Sequence, residues 1–301
     1  MRPRFTIVVP TYDRPQLVGG CLAALAALDY PRDAFEVVVV DDGSAAPLAL
    51  DDGAGIAVRV LRTANGGPGA ARNVGAEAAR GRYLVFTDDD CRPAPSWLAR
   101  IDAALARAPD HMIGGRTVNA LAGNRWAATS QAIVDMAYDF YNADAEAPRF
   151  FASNNMAVPA DRFAALGGFH QDVFRVASED RELCDRWHHA GYGLTYVPDA
   201  VVAHAHDLGF RSFCRQHFRY GRGAMRYHRV RARRRSGLLR QDMPFHLQLP
   251  RLLRRATHAM TAGESAQVAW RLVLWQLCNA AGYFYEHGRA LVRPDARVPS
   301  V

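Results

Sequence analysis

Lysine is absent from this 301-residue chain, so all 37 basic residues are arginine, set against 30 acids for a formal charge of +7. Together with abundant alanine, that reads as the vocabulary of a GC-rich coding sequence, and part of the basicity is composition rather than function. Cysteine is scarce. Cys21, Cys91, Cys184, Cys214 and Cys278 lie far apart, odd in number and without a CxxC pair, which argues against a cysteine zinc site and a disulfide framework. No apolar stretch is long enough for a secretory leader, so a cytoplasmic location is expected, with the inner face of the membrane as a peripheral station. Half of the residues are apolar and 22% charged, which fits a sizeable buried core and excludes disorder or a collagen-like repeat.

Acids are almost missing from one stretch. Residues 211 to 255 carry 14 arginines against Asp242 alone, a local balance of +13 that leaves 23 arginines against 29 acids, or −6, elsewhere. The positive character belongs to the C-terminal third.

The first half alternates short β-branched runs with helical spacing. FTIVVP from Phe5 to Pro10 predicts a buried strand, and Leu17, Cys21, Leu25 and Leu28 mark a helix after it. Strands follow at Phe35 to Val40, near Ile56 to Leu61 and at Tyr83 to Thr87, with a helix from Pro68 to about Arg80. Such alternation implies an α/β fold with a mostly parallel sheet flanked by helices, in which ligands sit at the carboxyl ends of the strands. Acids stand at those ends: Asp13, then Asp41 and Asp42, then Asp88, Asp89 and Asp90. Like charges gathered on one edge need a cation or hydrogen-bond donors to offset them. Beyond residue 110 the pattern loosens, with helices predicted over 124–141, 160–166 and 179–190, a short strand over 194–197, and an arginine-rich helical segment from Phe210.

Four local patterns carry chemistry. Asp88 to Asp90 offers carboxylate oxygens to Mg²⁺ or Mn²⁺. Asn65 to Gly75, NGGPGAARNVG, is a glycine-rich turn into a helix that could cradle a phosphate or be an ordinary capped turn. Ser178-Glu179-Asp180 opens a helix, where the serine serves as a cap and the acids favour the positive helix end; either acid could also be a base. His204 and His206, two residues apart on an extended segment, point the same way and could both reach a metal.

Taken in order, VVPTYDRP (Val8 to Pro15), VVVVDDGS (Val37 to Ser44), NGGPGAARNVG, YLVFTDDDC (Tyr83 to Cys91), GGFH (Gly167 to His170), SEDRELCDRW (Ser178 to Trp187) and QHFRYGRG (Gln216 to Gly223) resemble the family 2 glycosyltransferases. The resemblance implies a GT-A fold and sugar transfer from a nucleotide-sugar, usually with inversion. It would put Pro10, Thr11, Tyr12, Asp13, Asp41 and Arg72 in the nucleotide pocket, Asp88 near ribose and metal with Asp89 beside it, and Asp90 and His204 on a divalent metal. Asn155, within SNNMAVP, would face the sugar. Asp180 would be the general base, with Glu179 orienting or binding the acceptor. Gln216 to Tyr220 is similar to the Q-x-x-R-W signature of processive members but ends in tyrosine, so a single addition is expected. The expected division is a catalytic domain over 1–208 and a basic helical extension over 209–301.

The acceptor is left open by these residues: a small molecule, a lipid-linked sugar or a glycan. Two rival readings are a nucleotidyltransferase, which should carry a glycine-rich loop where PTYDRP stands, and a non-catalytic protein binding anionic lipid or nucleic acid through its arginines. For the extension, contact with an anionic membrane is one reading. The stripe Trp270, Leu274, Leu277, Ala281 and Phe284 marks an amphipathic helix, expected to pack against the catalytic core, with membrane contact as the alternative.

Overall fold

The computed structural model describes the chain apart from residues 1, 50–54, 172, 176, 249, 252, 255–260 and 293–301; Arg255, the last of the arginine run, therefore lies outside the described residues. The chain forms two compact units. One comprises residues 1–120, 144–171 and 179–205; the other comprises 121–143, 172–178 and 206–301.

The first unit is built on one eight-stranded sheet. Its strands are β1 (Phe5–Thr11), β2 (Phe35–Asp41), β3 (Val58–Arg62), β4 (Tyr83–Phe86), β5 (Cys91–Pro93), β6 (Met112–Asn119), β7 (Met156–Pro159) and β8 (Leu194–His204), in the spatial order β3-β2-β1-β4-β7-β6-β8-β5. β1 pairs in parallel with β2 and β4, and β2 with β3, as the alternating pattern predicts. Both faces of β1 and β2 are buried, which is why those strands read as mostly apolar runs rather than alternating ones, interrupted by Thr6 and Glu36, which satisfy each other with a 2.8 Å hydrogen bond. The other half is mixed: β7 is antiparallel to β4 and β6, β6 is parallel to β8, and β5 is antiparallel to β8. The helices of this unit are α1 (Pro15–Ala26), α2 (Pro68–Glu77), α3 (Trp97–Arg107), α5 (Ala160–Ala165) and α6 (Glu179–His189). One core cluster joins Phe5, Ile7 and Val9 of β1 to Val18, Cys21 and Leu25 of α1 and to Trp97, Leu98, Ile101 and Leu105 of α3.

The second unit is helical: α4 (Arg125–Tyr141), α7 (Phe210–Arg234), α8 (Met243–Leu247) and α9 (Ala262–Val292). Asn124 caps α4 by accepting from the backbone N–H groups of Trp126 and Ala127, each at 2.9 Å. The helical unit takes the chain from residue 206 onward together with α4 and residues 172–178. The reason is packing, because Ile133 and Met136 of α4 share a core with Leu208, Phe213, Phe245, Leu272 and Trp275.

α7 and α9 meet backbone to backbone at glycine. A Cβ placed on Gly221 would lie 1.9 Å from the Asn279 carbonyl oxygen, and one on Gly282 would lie 2.0 Å from that of Phe218. Across this crossing Glu286 of α9 is buried and takes Arg222 Nε and Arg226 Nη2 at 2.7 Å each. Arg271, also buried, donates to Thr129 Oγ1 at 3.0 Å. The face of α9 that packs includes Arg271, Leu272, Trp275, Gly282 and Glu286; of the stripe expected from hydropathy, Leu274 packs against the core, whereas Trp270, Leu277, Ala281 and Phe284 are exposed. Two charged residues inside, beside Leu272 and Trp275, and apolar residues outside blur the amphipathic signal. Among the described residues, no helix is long and apolar enough to cross a membrane.

Candidate active site

The carboxyl ends of β1, β2 and β4 lie side by side in the sheet, so the acids that follow them converge on one edge. Every residue of this site belongs to the sheet unit.

β1 ends in buried Pro10 and Thr11, and Tyr12 turns outward, half-exposed. Asp13 takes a left-handed φ of 53°; its N–H donates to Ser44 Oγ at 2.8 Å and its carboxylate accepts from Ala45 N–H at 2.7 Å. The turn after β1 is thereby locked to the turn after β2. Asp41 is fully buried. Burial alone would raise its pKa, but hydrogen bonds from Ser44 and the Arg62 charge prevail and hold the carboxyl below its ordinary range. Its Oδ1 accepts from Ser44 N–H at 2.8 Å, while Oδ2 accepts no hydrogen bond and lies 3.4 Å from Arg62 Nη1. An ionised oxygen left without a donor is suited to receive one from a ligand.

Asp42 plays a different part. Its carboxylate accepts from the Gly66 and Gly67 N–H groups, both at 2.9 Å. The amides of the glycine-rich turn therefore cradle a protein carboxylate, which corrects the phosphate-cradle alternative for this loop.

The three consecutive aspartates separate by environment. Asp88 Oδ1 pairs with Arg72 Nη2 at 2.6 Å. Asp89 points inward, fully buried, accepting from Thr11 Oγ1 at 2.7 Å and pairing with Arg14 Nη2 at 2.8 Å. Burial outweighs Arg14 and Thr11, and with the neighbouring Asp90 and Asp88 it pushes the Asp89 pKa up to about 6. Asp90 turns the other way, with Oδ1 3.1 Å from His204 Nε2 and Oδ2 3.2 Å from Arg14 Nη1. Arg14 lies inside the quoted PTYDRP motif yet was not singled out by sequence reasoning, because an arginine on a turn has no periodicity to announce it.

Register explains the histidine. β5 is antiparallel to β8 with Cys91 opposite His204, and Ala205 N–H donates to the Asp90 carbonyl at 2.8 Å, so His204 is delivered to Asp90. Burial would lower the His204 pKa, but the hydrogen bond to Asp90 and its charge prevail and raise it. Asp90, Cys91 and His204 each offer a ligand atom within 4.8 Å of the others. Burial holds the Cys91 thiol well above its usual pKa in the metal-free site, while Asp90 and His204 offer a carboxylate and an imidazole. That set suits Mn²⁺ or Mg²⁺ better than a thiolate-seeking metal. His206 belongs to the other unit and is not part of this set.

Arg72, buried on α2, reaches both ways: Nη2 to Asp88 and Nη1 to Glu179 Oε1 at 3.1 Å. Its guanidinium lies 5.7 Å from the Phe169 ring centre, and Asn73 fixes the Phe169 backbone from both sides, accepting from its N–H at 2.9 Å and donating to its carbonyl at 2.8 Å. The GGFH segment thus supports the arginine. Glu179 is buried; burial and the nearby Asp180 charge outweigh Arg72 and push its pKa up to about 7. Asp180 is less enclosed, and burial raises its pKa against hydrogen bonds from the Arg181 and Ser153 backbones and the charges of Arg72 and Arg181. Before them, Ser178 adopts φ 73° instead of the extended conformation of an ordinary N-cap serine.

Asn155 does not join the others. It is fully buried, donates to the Arg116 and Ala200 carbonyls at 3.0 and 2.9 Å, and accepts from Trp97 Nε1 at 2.8 Å. All its hydrogen-bonding capacity on this side ties β6, β8 and α3 together, so it is a strut and not a sugar-facing group. Gln216 to Tyr220, the segment similar to the processive signature, lies on α7 in the helical unit, with Gln216 donating to Tyr220 Oη at 3.1 Å.

A profile described as "Glycosyl transferase family 2" matches residues 6–164, more than half of the chain. The chain belongs to glycosyltransferase family 2. Among curated relatives, it is 30% identical over 229 residues to the pre-mycofactocin glycosyltransferase of Mycobacterium tuberculosis, covering 73% of this chain but 46% of that protein. Glycosyltransferase AglE of Haloferax volcanii is 27% identical over 233 residues, 73% of either chain. In structure the chain is similar to the mannosyltransferase PcManGT from Pyrobaculum calidifontis, solved with GDP-Man and Mn²⁺, with a TM-score of 0.62 and 23% identity over 98% of this chain and 88% of that one. The fold is accordingly GT-A, with a helical C-terminal region.

Proposed function

We propose that this glycosyltransferase moves one sugar from a nucleoside diphosphate donor to an acceptor hydroxyl with inversion at the anomeric carbon. The observation that carries the reading is the Asp88–Arg72–Glu179 bridge: one buried guanidinium ties the acidic triplet at the end of β4 to the acid pair that opens α6. The donor side and the proton-accepting side of a displacement are thereby held in one frame.

In this reading Asp41, whose Oδ2 has the Arg62 charge beside it but accepts no hydrogen bond, accepts from the nucleobase, and Pro10 to Asp13 wall the nucleoside. Asp88 faces ribose and metal, and Asp89 braces the β1 turn through Thr11 and Arg14. Asp90 and His204 would hold Mn²⁺ or Mg²⁺, which supplies charge to offset the departing diphosphate. Glu179 is occupied by Arg72, so Asp180 is the carboxylate left to take the acceptor proton. A peripheral contact with an anionic membrane is assigned to the helical unit, apart from this chemistry. A nucleotidyltransferase is disfavoured by PTYDRP in place of a glycine-rich loop and by the Asp42 carboxylate occupying the Gly66 and Gly67 amides of the Asn65–Gly75 turn.

The test is a panel of nucleotide-sugars with Mn²⁺, scored for binding and slow hydrolysis in the parent and in Asp180→Asn. Donor binding retained and acceptor transfer lost in the variant is the expected result; a variant that transfers at the parent rate removes Asp180 from the reaction.

A further inference from the structure

α9 carries its large apolar residues on the outside. Trp270, Leu277, Phe284 and Leu291 recur every seventh residue and are 45%, 62%, 68% and 72% exposed. Seven residues is close to two helical turns, so the four form one stripe about 32 Å long at 1.5 Å per residue. Val273 lies beside it, half-exposed, and Tyr285 borders it. A stripe of this extent is far more than the scattered apolar exposure of an ordinary surface.

The charge alongside is of one sign. The exposed arginines Arg211, Arg215 and Arg219 recur every fourth residue on α7, which places them on one ridge of that helix. Arg215 lines an open groove between α7 and α9 together with Phe218, Leu277 and Ala281, so the ridge runs along the edge of the stripe. The acid that could neutralise this flank is withdrawn, because Glu286 is buried in its pairs with Arg222 and Arg226. At the head of the stripe Trp270 packs edge-on against Trp126, 5.4 Å between centres, and Trp126 against half-exposed Phe210 at 5.7 Å. Aromatic and aliphatic residues alternating along the stripe, with arginines on the flank, are the components of a surface that lies in a lipid headgroup layer.

We propose that the α9 stripe with the Arg211–Arg215–Arg219 ridge is an interfacial surface that seats the helical unit on an anionic membrane. A second copy of the chain is the other occupant an apolar heptad stripe could take, and charge disfavours it: each face carries its own arginine ridge, and α7, described throughout, contributes no acid to answer one. Phospholipid phosphates answer them directly, at about 1 kcal/mol for each arginine near the surface. The proposal specifies the surface behind the peripheral location given above and is independent of the sugar-transfer assignment.

The experiment is co-sedimentation of the full chain with vesicles of phosphatidylcholine alone or mixed with phosphatidylglycerol, over a salt series. Leu277→Gln/Phe284→Gln and Arg215→Gln/Arg219→Gln alter only exposed side chains, and circular dichroism together with nucleotide-sugar binding verifies each fold. The parent is expected to bind the mixed vesicles and lose affinity as salt rises; the apolar pair should weaken binding by more than about tenfold at every salt, whereas the arginine pair should remove mainly the salt-sensitive part. Parent-like vesicle binding by the apolar pair, no preference for phosphatidylglycerol at low salt, or a parent dimer that the apolar pair converts to monomer would each overturn the assignment. Donor hydrolysis, followed in the same samples, reports on the catalytic reading separately.

Discussion

Asp88 and Glu179, ninety-one positions apart in sequence, are held by the two terminal nitrogens of one buried guanidinium, that of Arg72, at 2.6 and 3.1 Å. Removing the arginine leaves Glu179 buried with an uncompensated charge, which it sheds by keeping its proton. Arg72→Ala should therefore cost on the order of 3–5 kcal/mol in urea unfolding, the usual penalty for breaking a buried pair. Arg72→Lys keeps a charge but has one terminal nitrogen where the arginine offers two, and should lose transfer rate while recovering part of the stability. A lysine variant with full activity would show that the bridge is not needed for positioning.

The acid pair sets the pH dependence. Burial and mutual repulsion hold Glu179 near 7 and raise Asp180, so the pair retains protons that ordinary carboxyls shed near pH 4. The base must be ionised to act, so transfer should rise with pH through a range above that of an ordinary aspartate and level off beyond it. Glu179→Gln removes the repelling charge and should move that limb to lower pH, read from the pH profile of kcat/KM. Linkage runs the other way for stability: a carboxyl whose folded pKa is raised contributes most when protonated at low pH and loses that contribution as pH rises through the folded value.

Much of this site was legible because its strands end where their chemistry begins. β1, β2 and β4 are mostly apolar runs whose buried faces leave no alternation, and each stops at acids, so Asp13, Asp41 and Asp88 to Asp90 could be placed on one edge from sequence. β5 and β7 could not, being three and four residues long. β6 was hidden by its glycines; Gly114 is there because the Phe151 ring occupies the place of its Cβ, at 2.0 Å, a fact of packing that no local pattern encodes. Asn155 matched a motif while its amide was bound to three partners supplied by distant segments. α9 misled because Arg271, bonded to Thr129, and Glu286, paired with Arg222 and Arg226, are buried, so hydropathy periodicity located mainly its outer face.

Metal dependence follows from the Asp90–His204 pair. Asp90→Ala should abolish divalent-stimulated donor binding while the fold is retained, and His204→Ala should weaken it less, since the carboxylate is the stronger partner for a hard cation. Titration with Mn²⁺ followed by donor binding measures both. Parent activity undiminished in excess chelator would exclude a divalent ion from the reaction.

The glycine crossing of α7 and α9 makes a stability prediction in the helical unit alone. At Gly221 the atoms awaiting an added methyl are the Asn279 carbonyl and the Tyr283 amide nitrogen, at 1.9 and 2.9 Å; at Gly282 they are the Phe218 carbonyl and the Arg222 amide nitrogen, at 2.0 and 3.1 Å. These are backbone atoms of packed helices and cannot rotate aside as a side chain would, so the helices must separate. Separation lengthens the Arg222 and Arg226 pairs to Glu286, leaving a buried carboxylate with weaker partners. Gly221→Ala and Gly282→Ala should each destabilise by about 1–3 kcal/mol through overpacking, even though alanine ordinarily favours a helix over glycine by up to about 1 kcal/mol. The sign decides the matter: thermal unfolding of either variant at or above the parent midpoint would show that the two helices do not pack in backbone contact, while a lowered midpoint with donor binding retained confines the damage to the helical unit.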